Sequence, residues 1–157
     1  MMCVLKGSFK FFADLTECIE RALRARRTTL PISIDFVRTK NYLNAESTGT
    51  VKLTGVDDES AYKNKNILIV EDIIETGKTM QNLMPYLKTL EPQSVHVATL
   101  LVKRTIKSSG FQADYTGFEI PDRFVVGYAL DFNEYFRDLH HICVINEEGK
   151  SKYSLPA

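Results

Sequence analysis

Residues 67–70, Ile-Leu-Ile-Val, form an apolar run without alternation, the pattern of a strand covered on both faces within a parallel sheet. Residues 95–102 repeat that pattern almost without interruption. Between them, residues 79–90 have the length and position of a crossover helix. Near the start, residues 2–5 read as a short buried strand followed by a Lys-Gly-Ser turn. Phe11, Phe12, Leu15, Cys18, Ile19, Ala22 and Leu23 then recur at helical spacing, so residues 9–26 are predicted as an amphipathic helix. Ile32, Ile34 and Phe36 alternate with Ser33 and Asp35 as in a strand. Residues 39–50 are polar and aperiodic, which predicts a mobile flap or hairpin tip. Residues 51–53 return as a strand, 110–117 are loop-like, and 124–129 and 142–145 read as short strands. This alternation predicts an α/β fold, a doubly wound, mainly parallel sheet flanked by helices. No linker or repeat interrupts the 157 residues, so 1–157 is expected to be one domain.

Composition narrows the function classes. Twenty Lys and Arg balance twenty Asp and Glu. That speaks against nucleic acid as a partner, because phosphate neutralisation needs a basic excess on one face. The basic stretch 21–27 lies on the predicted helix, where a solvated face is the plain reading. Cys3, Cys18 and Cys143 have no metal or redox spacing, so buried, reduced thiols in a cytoplasmic protein are expected. No apolar run approaches the ~18 residues of a membrane span. The apolar residues 1–5 run straight into Lys6 without a basic leader or cleavage pattern, and read as a strand, not a signal peptide.

The candidate chemistry sits in residues 67–79, ILIVEDIIETGKT. Glu71 and Asp72 fall at the carboxyl end of a buried strand, the edge where open α/β sheets bind ligands. Thr76-Gly77-Lys78-Thr79 then opens a helix, whose first amides have no internal partners and favour an anion. The combination suggests a sugar phosphate, with the anion on the amides and the hydroxyls on the acids. A nucleoside-triphosphate P-loop is excluded by spacing: its first glycine would stand where Asp72 is.

The arrangement resembles the ribose-phosphate motif of type I phosphoribosyltransferases. Leu5-Lys6-Gly7, residues 101–105 (LVKRT) and residues 117–138 (GFEIPDRFVVGYALDFNEYFRD) narrow the resemblance to hypoxanthine-guanine phosphoribosyltransferases, from residue 1 to about 153. Relative to that family the chain looks N-terminally truncated. Its first strand then has no preceding βα unit to cover it, and association into a homo-oligomer, dimer or tetramer, is expected.

The resemblance implies a role for each matching residue. Glu71 and Asp72 would hold the ribose hydroxyls of 5-phosphoribosyl-1-diphosphate (PRPP), and Glu75, Thr76, Gly77, Lys78 and Thr79 the 5′-phosphate loop. Gly77 is expected because a side chain would block close backbone approach to the phosphate. Lys6 and Gly7 would form the diphosphate loop, with a non-proline cis peptide between them, and Arg137 would bind diphosphate with its planar fork. Lys103 would donate to the 6-oxo group of hypoxanthine or guanine, Phe124 would stack on the purine, and the Val125 backbone would read its edge. Asp131 would serve the purine site and hold Mg²⁺ through water, with Glu71 and Asp72 as the other metal residues. Arg38, Lys40, Asn41 and Tyr42 would belong to a flap that closes over the diphosphate.

The implied reaction moves the 5-phosphoribosyl group from PRPP to N9 of a 6-oxopurine, giving IMP or GMP plus diphosphate, with Glu75 handling the purine proton. Three positions depart from the family pattern: Ser8 for glycine, Asn41 for serine and Glu75 for aspartate. Together with the missing N-terminal segment they open an alternative, a weakly active or inactive paralogue or short isoform that binds purine nucleotide and associates with a full-length partner. An RNA-binding regulator on the same fold is a third class, disfavoured by the neutral charge.

Overall fold

The computed structural model describes residues 1–40, 52–56 and 58–155. Five parallel strands build its sheet. They are β1 (Met2–Val4), β2 (Asp35–Lys40), β4 (Asn66–Ile74), β5 (Ser94–Arg104) and β6 (Tyr115–Pro121), and β3 (Lys52–Thr54) adds antiparallel to β2. The order is β3-β2-β1-β4-β5-β6. Helix α1 (Phe9–Ala25) connects β1 to β2, and α2 (Lys78–Thr89) connects β4 to β5. This is the doubly wound arrangement expected from the apolar runs.

Side chains of the central strands divide between two cores, as strand geometry requires. Met2 and Val4 of β1, Val37 of β2, Ile67 and Ile69 of β4 and Val97 of β5 pack with Met80, Leu83 and Leu87 of α2. Cys3 and Val70 point the other way, onto Phe12, with Phe11 and Leu15 alongside. Burying each such aliphatic side chain stabilises the fold by about 1.5–3 kcal/mol. Strands buried on both faces need no alternation, which is why 67–70 read as they did.

Several expectations need correction. β1 is not left uncovered: it sits between β2 and β4, and Met2, Cys3 and Val4 are all buried, as the apolar run at 2–5 predicts. The alternating stretch at 32–36 is mostly extended loop, because β2 begins only at Asp35 and continues through Thr39 and Lys40, the first residues of the expected flap. The rest of that flap, with Asn41 and Tyr42, lies outside the described residues. Residues 115–117, read as loop, belong to β6, an edge strand whose Tyr115 and Phe118 are exposed. An edge strand needs no apolar face, so it carried no signal. The strands at 124–129 and 142–145 shrink to β7 (Val125–Val126) and β8 (Cys143–Val144), paired antiparallel. A short helix, α3 (Glu147–Lys152), follows, capped by Asn146 Oδ1, which accepts from Gly149 N–H at 2.8 Å. Of the thiols, Cys3 is buried but Cys18 is exposed.

Candidate active site

Three connections meet at the carboxyl edge of the sheet. After β1 comes Leu5-Lys6-Gly7, with a cis peptide between Leu5 and Lys6, one bond earlier than expected. Gly7 lies directly on the carboxyl end of β4: a Cβ there would stand 1.6 Å from Asp72 Oδ2, so no side chain fits. Asp72 Oδ1 accepts from the Ile73 N–H at 2.8 Å, which fixes the carboxylate in place.

Glu71 is buried, and its Oε2 has no hydrogen-bond partner. Burial, reinforced by the neighbouring Asp72 charge, pushes its carboxyl well above the usual carboxylate range, and burial also raises Asp72. Sugar hydroxyls or a cation placed between these oxygens would relieve that cost.

At the start of α2, Gly77 takes a left-handed φ of 80°. A Cβ on it would meet Ser109 Oγ at 2.6 Å and Phe111 Cβ at 2.8 Å. The glycine is therefore required by its own conformation and by the loop packed against it, whether or not a phosphate approaches. That loop is also tied by Ser109 N–H donating to the Thr76 carbonyl at 2.7 Å. Thr76 and Thr79 are half-buried and Lys78 is exposed.

Lys103, near the end of β5, is buried with its Nζ 2.9 Å from Glu75 Oε2 and 5.7 Å above the Phe124 ring. Phe124 is 44% exposed, with its ring edge-to-face against Phe132 at 5.4 Å. An open aromatic face thus lies beside a buried ammonium and a carboxylate. Such a corner suits a planar base that needs stacking, a donor and a proton acceptor. Val125 follows in β7.

The β7–β8 connection contains two further groups. Arg137 donates through Nη1 to the Ala129 carbonyl at 2.6 Å, and its Nη2 lies 2.7 Å from Asp131 Oδ1 and 3.1 Å from Glu134 Oε1. Glu134 Oε2 reaches Lys6 Nζ at 2.9 Å. Lys10, on α1, steadies the same segment by donating to the carbonyls of Arg137 and Leu139 at 3.1 and 3.4 Å. Sequence reading missed Glu134, Lys10 and the Ser109–Phe111 loop. Each acts through a partner distant in sequence, so no local pattern marked it.

Among the described residues no cluster of three or more His, Cys, Asp or Glu side chains is placed to hold a metal ion. Asp131 is not gathered with Glu71 and Asp72 but is engaged by Arg137. The unpartnered Glu71 oxygen beside Asp72 nevertheless fits a hard cation of the magnesium kind, which takes one or two carboxylates and completes its shell with water and substrate oxygens. Arg38 is exposed at the carboxyl half of β2, with Lys40 at its end.

A parallel sheet whose strand-end acids lead through a glycine turn into a helix defines a phosphosugar-binding α/β protein, and the model of the phosphoribosyl transferase domain matches residues 1–133. Identity is 58% over 152 residues to a hypoxanthine-guanine phosphoribosyltransferase of Mus musculus and 57% to that of Homo sapiens, covering 97% of this chain and 70% of each relative. The crystal structure of hypoxanthine-guanine phosphoribosyltransferase from Schistosoma mansoni in complex with IMP matches with a TM-score of 0.79 at 51% identity, over 98% of this chain and 67% of that one. The chain belongs to the hypoxanthine-guanine phosphoribosyltransferase family. Among the described residues no helix is long and apolar enough to cross a membrane.

Proposed function

We propose that this chain transfers the 5-phosphoribosyl group of PRPP to N9 of hypoxanthine or guanine, the C1–diphosphate bond breaking as the C1–N9 bond forms. The products are IMP or GMP and diphosphate. The reading is carried by one observation: the loops after β1 and β4 meet the end of β5, with Gly7 seated on Asp72 and Lys103 on Glu75.

In this reading the Glu71–Asp72 pair accepts from the ribose hydroxyls, and the amides and hydroxyls of Thr76 to Thr79 hold the 5′-phosphate. Lys6 and Arg137 receive the diphosphate, with Gly7 letting the backbone approach it. Lys103 donates to the 6-oxo group. Because an ammonium has only donors, a 6-amino group finds no acceptor on it. Phe124 stacks on the ring and Val125 reads its edge. Glu75 takes the proton displaced from the ring nitrogen as the new bond forms. Glu71 and Asp72 are the carboxylates that would hold magnesium, whose contribution when bound is charge neutralisation on the departing diphosphate, and Asp131, set apart from that pair by its contact with Arg137, would reach a magnesium only through water. Arg38, Lys40, Asn41 and Tyr42 belong to the flap in this reading. The same reading treats residues 1–157 as one domain and the protein as a homo-oligomer. Phe9, Ile34 and Phe36, which remain 43–48% exposed, support the association.

The test is product formation from PRPP and magnesium with hypoxanthine, guanine, xanthine and adenine in parallel. Turnover of the first two is expected, with adenine silent. Folded protein that turns over none of the four would overturn the activity.

A further inference from the structure

Phe132 and Tyr135 close a two-residue turn by exchanging backbone hydrogen bonds of 3.1 and 3.0 Å. Its central residues, Asn133 and Glu134, both have left-handed φ, 51° and 72°. A turn of this kind favours Asn first and Gly second, because a side chain at the second position is strained. Glu134 therefore stands where glycine would be easier. Asp131 Oδ2 accepts its N–H at 2.8 Å and holds the turn in place. What the side chain does there is specific: one carboxylate oxygen meets Lys6 Nζ at 2.9 Å and the other meets Arg137 Nη2 at 3.1 Å. Residues kept against a local backbone preference concentrate at functional sites.

We infer that Glu134 competes with diphosphate inside the active site: its carboxylate engages Lys6 and Arg137, so an incoming diphosphate must displace it and a departing one is replaced by it. The inference rests on the assignment of those two cations to diphosphate. Carboxylate and phosphate oxygens accept from the same donors, and Arg137 has few to spare. Its Nη1 is committed to the Ala129 carbonyl, its Nη2 is shared between Asp131 and Glu134, and its Nε is buried without a partner. Glu134 is an exposed side chain on a hairpin tip, so it can swing away without disturbing the core. A neutral residue in its place leaves both cations unopposed, and diphosphate then binds more tightly and leaves more slowly.

The experiment titrates the full chain with magnesium diphosphate by calorimetry, comparing the parent, Glu134→Gln and Glu134→Gly. The glycine variant suits the left-handed turn and guards against misfolding. Both variants are expected to tighten diphosphate binding about three- to tenfold, the scale of releasing two ion pairs whose shared carboxylate is exposed. The KM for PRPP should fall in parallel, and the gain should shrink when Lys6→Ala is added. A merely structural role would weaken binding instead. If the parent binds diphosphate but the variants bind it equally or less tightly, the competition is overturned and the site assignment stands. If the folded parent binds no diphosphate, the assignment and the inference fall together.

Discussion

Ser8 illustrates how one atom can cost stability. It precedes α1, is fully buried, makes no capping hydrogen bond, and leaves its Oγ without a partner. An orphaned buried hydroxyl costs about 1–3 kcal/mol. Ser8→Ala is therefore expected to raise the melting temperature, by about 2–4 °C per kcal/mol in a domain of this size; an unchanged or lower value would mean the hydroxyl finds a partner in solution. Glu75 and Lys103 are tied by their 2.9 Å contact, so neither can be altered without changing the other. Lys103→Met keeps the buried stem but removes the donor, and base affinity should fall by about 1.5–3 kcal/mol while PRPP affinity stays nearly constant. Glu75→Asp withdraws the carboxylate by about one methylene and releases the ammonium for the base, so single-turnover rates should rise. Glu75→Gln cannot accept a proton and should lower the rate by about 10²-fold. A Gln variant as fast as the parent would show that the proton leaves by another route.

At the scale of elements, Gly77 joins β4 to α2 under two constraints, its positive φ and the loop at Ser109 and Phe111. Gly77→Ala should destabilise the protein by about 1–2 kcal/mol from the backbone alone, measured by urea denaturation, and weaken nucleotide binding with it if residues 76–79 are the phosphate loop proposed above. The entry to β6 depends on Asp114. Its carboxylate accepts the Val97 N–H at 2.8 Å and lies 3.1 Å from His96 Nδ1. The Val97 backbone hydrogen bond, aided by His96, holds Asp114 below its ordinary value of 3.8. A lowered folded-state value means the stabilisation is present above pH 3.8 and is lost as pH falls through the lowered value. Asp114→Asn should flatten that acid limb of the stability curve below pH 3.8, and an unaltered limb would assign the acid sensitivity elsewhere. Tyr115 to Pro121 is held by hydrogen bonds to β5, with one aspartate at its entry and no buried face of its own, so residues 115–117 show no strand pattern.

For the whole molecule, the site is shared among segments far apart in sequence, so ligand binding must stabilise the global fold. Guanosine monophosphate with magnesium at about 100 times its dissociation constant should add about 2.7 kcal/mol to unfolding. The gain in melting temperature should vanish in Gly77→Ala, and its persistence there would move the nucleotide to another site. Much of this organisation was legible in the chain itself. The uninterrupted apolar runs of β4 and β5 specify strands buried on both faces, the helical spacing of Phe12 and Leu15 specifies α1, and the order of acids, glycine and helix marks the carboxyl edge of the sheet at which the proposed site lies. These features are local, since each depends on side-chain period or backbone freedom within one segment. Only the tertiary structure brought Gly7 onto Asp72, paired Glu75 with Lys103 and laid Glu134 across Lys6 and Arg137. Those contacts join residues up to 128 positions apart. A sequence pattern records the period of one segment and carries no trace of which distant segment it will meet, because that is decided by the packing of the whole sheet.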